Sequence, residues 1–218
     1  MSLYITDRPE DAVAGIEDES TILVGGFGMA GMPVRLVDAL IAQGATGLTV
    51  VSNNAGNGDT GLAALLAAGR VRKVLCSFPR QHDSWIFDEL YRSGRVELEL
   101  VPQGNLAERM RAAGAGIGAF FTPTGAGTSL AEGKETRMIG GRAHVLEFPI
   151  HGDYALIRAH RADRLGNLVY RKTARNFGPV MATAARITIA EVSEVVDTGA
   201  IDPEVVVTPS IYVDRLLV

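Results

Sequence analysis

Two hydrophobic periodicities alternate along the first hundred residues. Short continuous apolar runs, typical of buried strands, recur between segments whose apolar residues return every three to four positions, as in amphipathic helices. The predicted strands are Thr21–Val24, Leu48–Val51, Val71–Phe78 and Val96–Val101; the predicted helices run from the caps Thr6 and Asp7 to Glu17, from Pro33 to Gly44, through Leu62 to Gly69, and over Ser84–Arg92 and Asn105–Arg111. This alternation indicates βαβ units, and hence an open, mostly parallel sheet with helices on both faces.

The pattern changes after about Ala112. Thr136–Ile139 and Arg142–Glu147 flank a Gly-Gly pair and therefore predict an antiparallel hairpin. Further strands are predicted at Asp153–Ala162, Leu168–Arg171, Ile187–Val192 and Val205–Val207, with a helix near Val180–Ala185. Since no Pro- or Ser-rich linker and no charged block divides the chain, we expect residues 1–218 to form one α/β domain with an antiparallel extension to its sheet.

Composition excludes several classes of protein. The 218 residues are 47% hydrophobic and 21% charged, which is enough apolar material for a core, and the net charge of −4 offers no basic surface for nucleic acid. A single cysteine cannot form an internal disulfide and fits a reducing compartment. The first residues lack the basic and apolar regions of a signal peptide, and no apolar run approaches the ~20 residues of a membrane helix. We therefore expect a cytoplasmic protein without nucleic-acid or membrane partners.

Glycine is abundant, and one glycine motif lies where it could carry function. Gly26-Phe27-Gly28-Met29-Ala30-Gly31 fits G-x-G-x-x-G directly between a predicted strand and a helix, where the backbone can approach an anion closely. Dinucleotide binding also needs an acidic residue at the end of the second strand, but that strand ends in Ser52-Asn53-Asn54. The motif therefore favours a loop that approaches some other ligand, with NAD or FAD binding and a purely structural turn left open.

Polar residues follow the next three predicted strands. The loop Asn53–Asp59 would place short polar groups at the carboxyl edge of the sheet, or would simply be solvated. Arg80 could bind a carboxylate by forked hydrogen bonds, or could be a surface residue beside a helix capped by Asp83. Gln103, between Pro102 and Gly104, could donate to an oxygen that becomes anionic during acyl transfer, or be an ordinary turn residue.

Other chemistries lack their motifs. The four histidines show no H-E-x-x-H spacing, and Cys76 stands inside an apolar strand, which is typical of a core residue. Neither a G-x-S-x-G elbow nor a Walker loop occurs. We therefore expect no metal site.

Several segments together resemble the alpha chain of class I CoA-transferases, the family of succinyl-CoA:3-oxoacid CoA-transferase. They are residues 25–33, 52–56, 102–109, 121–125 and 171–177, in matching order over nearly the whole chain. Residues 76–81 and 132–137 look most like the 3-oxoadipate branch of that family.

The resemblance implies ping-pong chemistry on a CoA thioester, with no permanently bound cofactor. A glutamate attacks succinyl-CoA, CoA returns to give a glutamyl-CoA thioester, and the second acid takes the CoA. In the family this glutamate lies in a Ser-Glu-Asn-Gly segment of the beta subunit, and no Glu-Asn-Gly occurs in this chain. The resemblance therefore implies a CoA-transferase beta subunit as partner, in an A2B2 assembly.

It also implies roles for particular residues. Gln103 would be the oxyanion donor, and the residues expected to line the substrate site are Gly25, Gly26, Phe27, Gly28, Gly31, Asn53, Asn54 and Gly104. If the acceptor is 3-oxoadipate, its distal carboxylate needs a cation, and we expect Arg80 to supply it. The alternatives are an alpha chain of succinyl-CoA:acetoacetate CoA-transferase, or a non-catalytic nucleotide- or sugar-phosphate-binding module.

Overall fold

The structure, a computed structural model, describes residues 3–218. Its strands are β1 (Tyr4–Thr6), β2 (Thr21–Val24), β3 (Leu48–Val51), β4 (Val71–Cys76), β5 (Glu97–Leu100), β6 (Phe120–Thr122), β7 (Thr136–Ile139), β8 (Arg142–Glu147), β9 (Gly152–Arg158), β10 (Arg161–Asp163), β11 (Leu168–Val169), β12 (Ala185–Glu191), β13 (Glu194–Val196) and β14 (Arg215–Leu217). Its α-helices are α1 (Pro9–Ala12), α2 (Val34–Gln43), α3 (Leu62–Ala67), α4 (Trp85–Arg92), α5 (Gln103–Gly114) and α6 (Gly178–Ala184). No helix among these residues is long and apolar enough to cross a lipid bilayer.

Eight strands form one parallel sheet in the order β1-β14-β12-β9-β2-β3-β4-β5. From β2 the chain adds β3, β4 and β5 outward on one side, whereas β9, β12 and β14 extend the sheet on the other. The direction of winding therefore reverses between β2 and β9. Open parallel sheets bind ligands beyond the carboxyl ends of their strands at such a reversal, so this edge is the place to look for a site.

Both faces of the central strands of the sheet are buried, as is usual for a parallel sheet. Ile22 and Val24 of β2 face the layer of α1, α2, α3 and α4, whereas Leu23 between them faces the layer of α5 and α6. Successive strand residues point to opposite faces, which is why these apolar runs are continuous rather than alternating. The predicted α/β class with helices on both faces is confirmed.

The antiparallel part of the chain is separate from the large sheet. The predicted hairpin is present as β7 and β8, joined by Gly140 and Gly141 with φ of 57° and 76°. These positive angles suit the tight turns that match strand twist. However, β8 pairs with β6 in a three-stranded sheet, and β10, β11 and β13 form another. The expected extension is therefore two small sheets, and the strand predicted at Asp153–Ala162 is divided between β9 and β10.

Four local predictions are wrong. The first helix ends at Ala12 rather than Glu17, because the chain turns at once toward Gly15, whose φ is +83°. Thr6 lies in β1 rather than capping that helix, and its hydroxyl accepts from the backbone N–H of Arg8. The strand predicted at Val205–Val207 is absent: Val205 ends a 3-10 turn, Pro203–Val205, the next two residues are irregular, and the last strand is β14.

Asn105 is the fourth. It is buried inside α5, which begins two residues earlier at Gln103, so it does not cap the helix. Its Nδ2 donates instead to the carbonyl of Thr124 at 3.2 Å and to Glu147 Oε1 at 3.3 Å. Asn105 therefore joins α5 to the small sheet of β6, β7 and β8.

Candidate functional site

The carboxyl ends of β2, β3, β4 and β5 surround a pocket of about 440 Å³, which we call the amide pocket. Phe27 and Phe78, each about half exposed, provide apolar walls. The other lining residues are neutral and polar, and none of the lining side chains carries a charge: Asn53, Ser77, Gln81 and Gln103. The pocket therefore suits an uncharged polar group such as a carbonyl.

Two side-chain amides of the pocket are joined directly. Asn53 Oδ1 accepts from Gln103 Nε2 at 2.7 Å and from Ser77 Oγ at 2.8 Å. Because Oδ1 is the acceptor in both bonds, the Nδ2 group of Asn53 is the end that can donate, and it has no protein partner among residues 3–218. Gln103 likewise uses one of its two N–H groups, which leaves the second for a ligand. The arrangement holds two amide donors side by side.

The start of α5 adds to this donor set. Gln103 is the first residue of this 12-residue helix. The residue before it, Pro102, is the N-cap, and no side chain makes a capping hydrogen bond there. The first backbone N–H groups of a helix lack internal partners and carry the positive end of its dipole. Negative charge that develops beside Gln103 is therefore favoured. Gly104, expected to line the substrate site, lies in this helix without a left-handed angle and is not among the residues that line the amide pocket.

The predicted glycine loop forms a tight turn beside the pocket. Gly26, Gly28 and Gly31 have φ of 132°, 59° and 78°, which only glycine adopts at little cost. Phe27 and Ala30 exchange backbone hydrogen bonds of 3.0 and 3.2 Å across this turn. Gly25 before the turn continues β2, donating to the carbonyl of Leu156 at 2.9 Å. The turn thereby holds Phe27 at the amide pocket.

Asn176, which sequence reasoning did not single out, fastens this loop to a distant segment. Its Oδ1 accepts from the N–H of Gly26 at 3.2 Å, and its Nδ2 donates to the carbonyl of Ala30 at 2.8 Å. A Cβ on Gly31 would lie 2.6 Å from the carbonyl oxygen of Ala174. No periodicity marks such a residue; its only sequence signal is its place in the segment 171–177.

The helix after the glycine loop does not present its N–H groups to a ligand. Glu191, at the end of β12, is buried, and its Oε2 accepts from the backbone N–H of Arg35 at 3.0 Å in the first turn of α2. An internal carboxylate therefore occupies the position where a dinucleotide-binding fold holds a phosphate. This contact argues against the NAD or FAD alternative.

We expect Glu191→Gln to remove a pH-dependent loss of stability. Burial raises the pKa of Glu191 above its ordinary value of 4.5, and Arg158 nearby opposes this only in part. Its contribution to the free energy of unfolding is therefore fully present below the unfolded pKa and is lost as pH rises through the folded pKa. Urea unfolding at several pH values should show the wild type losing stability relative to the variant as pH rises. Glu194→Gln, at an exposed position, is the control; a difference that does not change with pH would contradict the prediction.

Asn54 and Arg80 lie outside the amide pocket. Asn54 Oδ1 accepts from the N–H of Gly56 at 2.9 Å, and its buried side chain lies against Leu62 and Val74. Arg80 Nε pairs with Asp88 Oδ1 at 2.5 Å, and its side chain is half exposed. Its contact with a substrate carboxylate stays a prediction.

The alternative interpretation of the Arg80 loop also needs correction. Asp83 does not cap α4; it pairs with His82, and Ser84 precedes the helix without a side-chain capping bond. Gln81, rather than Arg80, reaches the pocket, and its Oε1 accepts from Asn57. The first half of the loop Asn53–Asp59 is buried rather than solvated.

Comparisons with known proteins find relatives over nearly the whole chain. A family model described as Coenzyme A transferase matches residues 6–218. The chain is 68% identical over 206 residues to the A subunit of 3-oxoadipate CoA-transferase of Pseudomonas putida, covering 94% of this chain and 89% of that one. It is 49% identical over 213 residues to the A subunit of a probable succinyl-CoA:3-ketoacid coenzyme A transferase of Bacillus subtilis, covering 98% and 89%. An acyl-CoA transferase from E. coli O157:H7, solved as a thioester complex with CoA, has the same fold, with a TM-score of 0.87 and 22% identity; it matches all of this chain, which spans half the length of that one.

Proposed function

The chain belongs to the coenzyme A transferase family, and from this premise we propose that it is the alpha subunit of an enzyme that moves CoA from succinyl-CoA to a 3-oxoacid. 3-Oxoadipate is the favoured acceptor, because the Pseudomonas relative named for it is 68% identical, whereas the Bacillus relative named for 3-ketoacids is 49% identical. Acetoacetate is the alternative acceptor.

The observation that carries the proposal is the hydrogen-bonded pair Asn53 and Gln103. When a nucleophile attacks a thioester carbonyl, the C=O oxygen becomes an anion, and amide N–H groups already fixed beside it stabilise the transition state without reorganising. Gln103 is fixed by its bond to Asn53 and by the first turn of α5. These donors suit each of the acyl transfers in the reaction.

The nucleophile is proposed to come from the beta subunit. Its carboxylate oxygen attacks the thioester carbon, the C–S bond breaks, and CoA leaves as a thiolate. The thiolate then attacks the carboxylate's carbonyl carbon in the resulting anhydride, releasing succinate and giving an enzyme thioester; the 3-oxoacid takes the CoA by the reverse steps. None of the residues that line the amide pocket is acidic, so this chain offers no such carboxylate there.

A partner chain also has a surface to cover. The relatives are named as A subunits, which implies a second kind of chain, and we propose an A2B2 assembly in the cytoplasm. Phe27, Met29, Phe78 and Trp85 are each about half exposed in loops and a helix start at the carboxyl edge of the sheet. Clustered exposed apolar side chains are typical of interaction sites. Their position would bring a partner's carboxylate to the mouth of the amide pocket.

Co-expression with the beta subunit tests the proposal. We expect the purified complex to transfer CoA from succinyl-CoA to 3-oxoadipate faster than to acetoacetate, and the chain alone to transfer none. Transfer by the chain alone would overturn the division of labour between the two chains. A preference for acetoacetate would establish the alternative acceptor, and tight binding of NADH or a sugar phosphate without transfer would establish a non-catalytic module.

Arg80→Ala should raise the KM for 3-oxoadipate about tenfold while changing that for acetoacetate much less, because only the first acid has a distal carboxylate for a charge-assisted bond. Steady-state kinetics of the complex with both acceptors measures this. Arg92→Ala is the matched control, since Arg92 also faces Asp88, at 3.8 Å, but lies one turn further along α4. Equal effects of Arg80→Ala on both acceptors would contradict the role.

A further inference from the structure

A second cavity, which we call the basic cavity, also borders the glycine loop, through Met29, Ala30 and Gly31. Its volume is about 390 Å³. It lies at the reversal between β2 and β9. Its lining comes from the glycine loop, from the end of β9 and the residues after β9 and β12, and from residues 171–174, which include most of the 3-10 turn Lys172–Arg175 but not its last residue. Open sheets of this kind bind ligands at such a reversal.

The lining is cationic although the chain as a whole is acidic. Arg158, Arg171 and Lys172 line the cavity together with His160, and no Asp or Glu does. Arg158 has a carboxylate partner, Glu191, at 3.7 Å. Arg171 and Lys172 have no ion-pair partner within residues 3–218. Two cations thus remain available for an anion inside a defined cavity.

The backbone at one of these two cations is strained. Lys172 has a φ of +51°, and in the described part of the chain only one other non-glycine residue, Glu19, has a φ in the left-handed region. Such strain persists where the surroundings enforce it and is concentrated at functional sites. The same turn is fastened to the glycine loop, since Asn176 Nδ2 donates both to Ala30 and, at 2.7 Å, to the carbonyl of Thr173. The two walls of the cavity therefore form one unit.

This unit links the two cavities. Phe27 of the glycine loop lines the amide pocket, and Met29, Ala30 and Gly31 of the same loop line the basic cavity. A CoA thioester has a neutral reacting carbonyl at one end and phosphates at the other. The amide pocket matches the first chemically, and the basic cavity matches the second.

We propose that the basic cavity binds a phosphate group of the CoA thioester through Arg171 and Lys172; this rests on the proposed function. Both side chains are exposed and can reach a ligand held at the mouth of the cavity. Arg offers a fork of N–H donors that matches phosphate oxygens, and Lys adds a mobile point charge.

The test compares two donors in the complex with the beta subunit. For the double variant Arg171→Gln, Lys172→Gln we expect the KM for succinyl-CoA to rise about tenfold or more, with the KM for succinyl-pantetheine, which lacks every phosphate, and for the oxoacid unchanged. Arg175→Gln removes a charge from the same turn outside the cavity and should leave all three values as in the wild type. Three results would overturn the proposal: an equal rise in KM for both donors, an unchanged KM for succinyl-CoA, or a rise in KM for the oxoacid alone.

Direct binding separates this proposal from the proposed function. Calorimetric titration of the complex with CoA, pantetheine and inorganic phosphate needs no turnover. Weaker binding of CoA but not of pantetheine in the double variant supports the phosphate site even if transfer to a 3-oxoacid is absent. If inorganic phosphate binds as tightly as CoA, the cavity is a site for free anions. If the beta subunit fails to co-purify with the double variant, the cavity is part of the interface between the two chains. Either outcome overturns the proposal.

Discussion

Gln103→Ala is expected to lower kcat for CoA transfer by about 10²- to 10³-fold, the usual effect of removing one oxyanion donor. The KM for succinyl-CoA should change little, because the amide contacts the oxygen most strongly when it carries charge, which is in the transition state. Steady-state kinetics of the complex with the beta subunit measures both constants. Gln103 is exposed on the first turn of α5, so the thermal unfolding midpoint should stay close to that of the wild type.

Gln81→Ala is the matched control for Gln103→Ala. Gln81 also lines the amide pocket, but its amide oxygen is bound by Asn57 rather than joined to Asn53. We expect a much smaller fall in kcat for this variant. A rise in KM with unchanged kcat for Gln103→Ala would instead mean that Gln103 binds substrate and transition state equally, and would remove its assigned role.

Gly56→Ala is expected to lower the free energy of unfolding by about 3 kcal/mol or more, since backbone strain and overpacking each cost roughly 1–3 kcal/mol. Gly56 has a φ of +90°, and a Cβ there would lie 2.4 Å from the backbone nitrogen of Ala63 in α3. The loop that would have to shift also contains Asn53, three residues before Gly56. Urea unfolding should show the loss, and activity of the complex should fall with it.

Gly58→Ala separates the two causes. Gly58 has a φ of +59° but faces open space, so alanine there meets strain without a clash. We expect it to cost only about 1–2 kcal/mol, the ordinary penalty of a left-handed residue. Equal losses for Gly56→Ala and Gly58→Ala would show that the close approach of Gly56 to α3 contributes nothing.

The parts of the fold that depend on neighbouring residues were predictable from the sequence. β2, β3 and the hairpin have the predicted bounds, and α2 ends before Gly44, whose φ is 102°, as a helix-ending glycine should. The parts that depend on distant pairing were not. β1 and β14 are three residues long. β1 joins the edge of the sheet by pairing with β14, near the other end of the sequence, and β14 also pairs with β12; no local pattern records such pairings.

Some residues of the candidate site were likewise predictable from the sequence, and others were not. Phe27, Asn53 and Gln103 follow three different strands, and the rule that ligands bind at the carboxyl ends of parallel strands was enough to place them together. Asn176 and Glu191 escaped prediction because each contacts a segment about 150 residues away. Arg80 pairs with Asp88, eight residues along the chain, a contact that the spacing of its loop did not indicate, and Gly104 lies in a helix that begins earlier than its pattern suggested.

The pairing of β1 with β14 has a consequence for how the protein is made. As the ribosome releases the chain, β2, β3, β4 and β5 have all their mutual partners by Leu100, but the glycine loop has no clamp until Asn176 emerges, and β1 has no neighbour until Leu217. Pairings between distant segments form slowly because the intervening chain must be ordered first. The ligand-binding edge is therefore completed only after Asn176 has emerged, and β1 joins the sheet later still, so a nascent chain holds half a sheet before it holds a site.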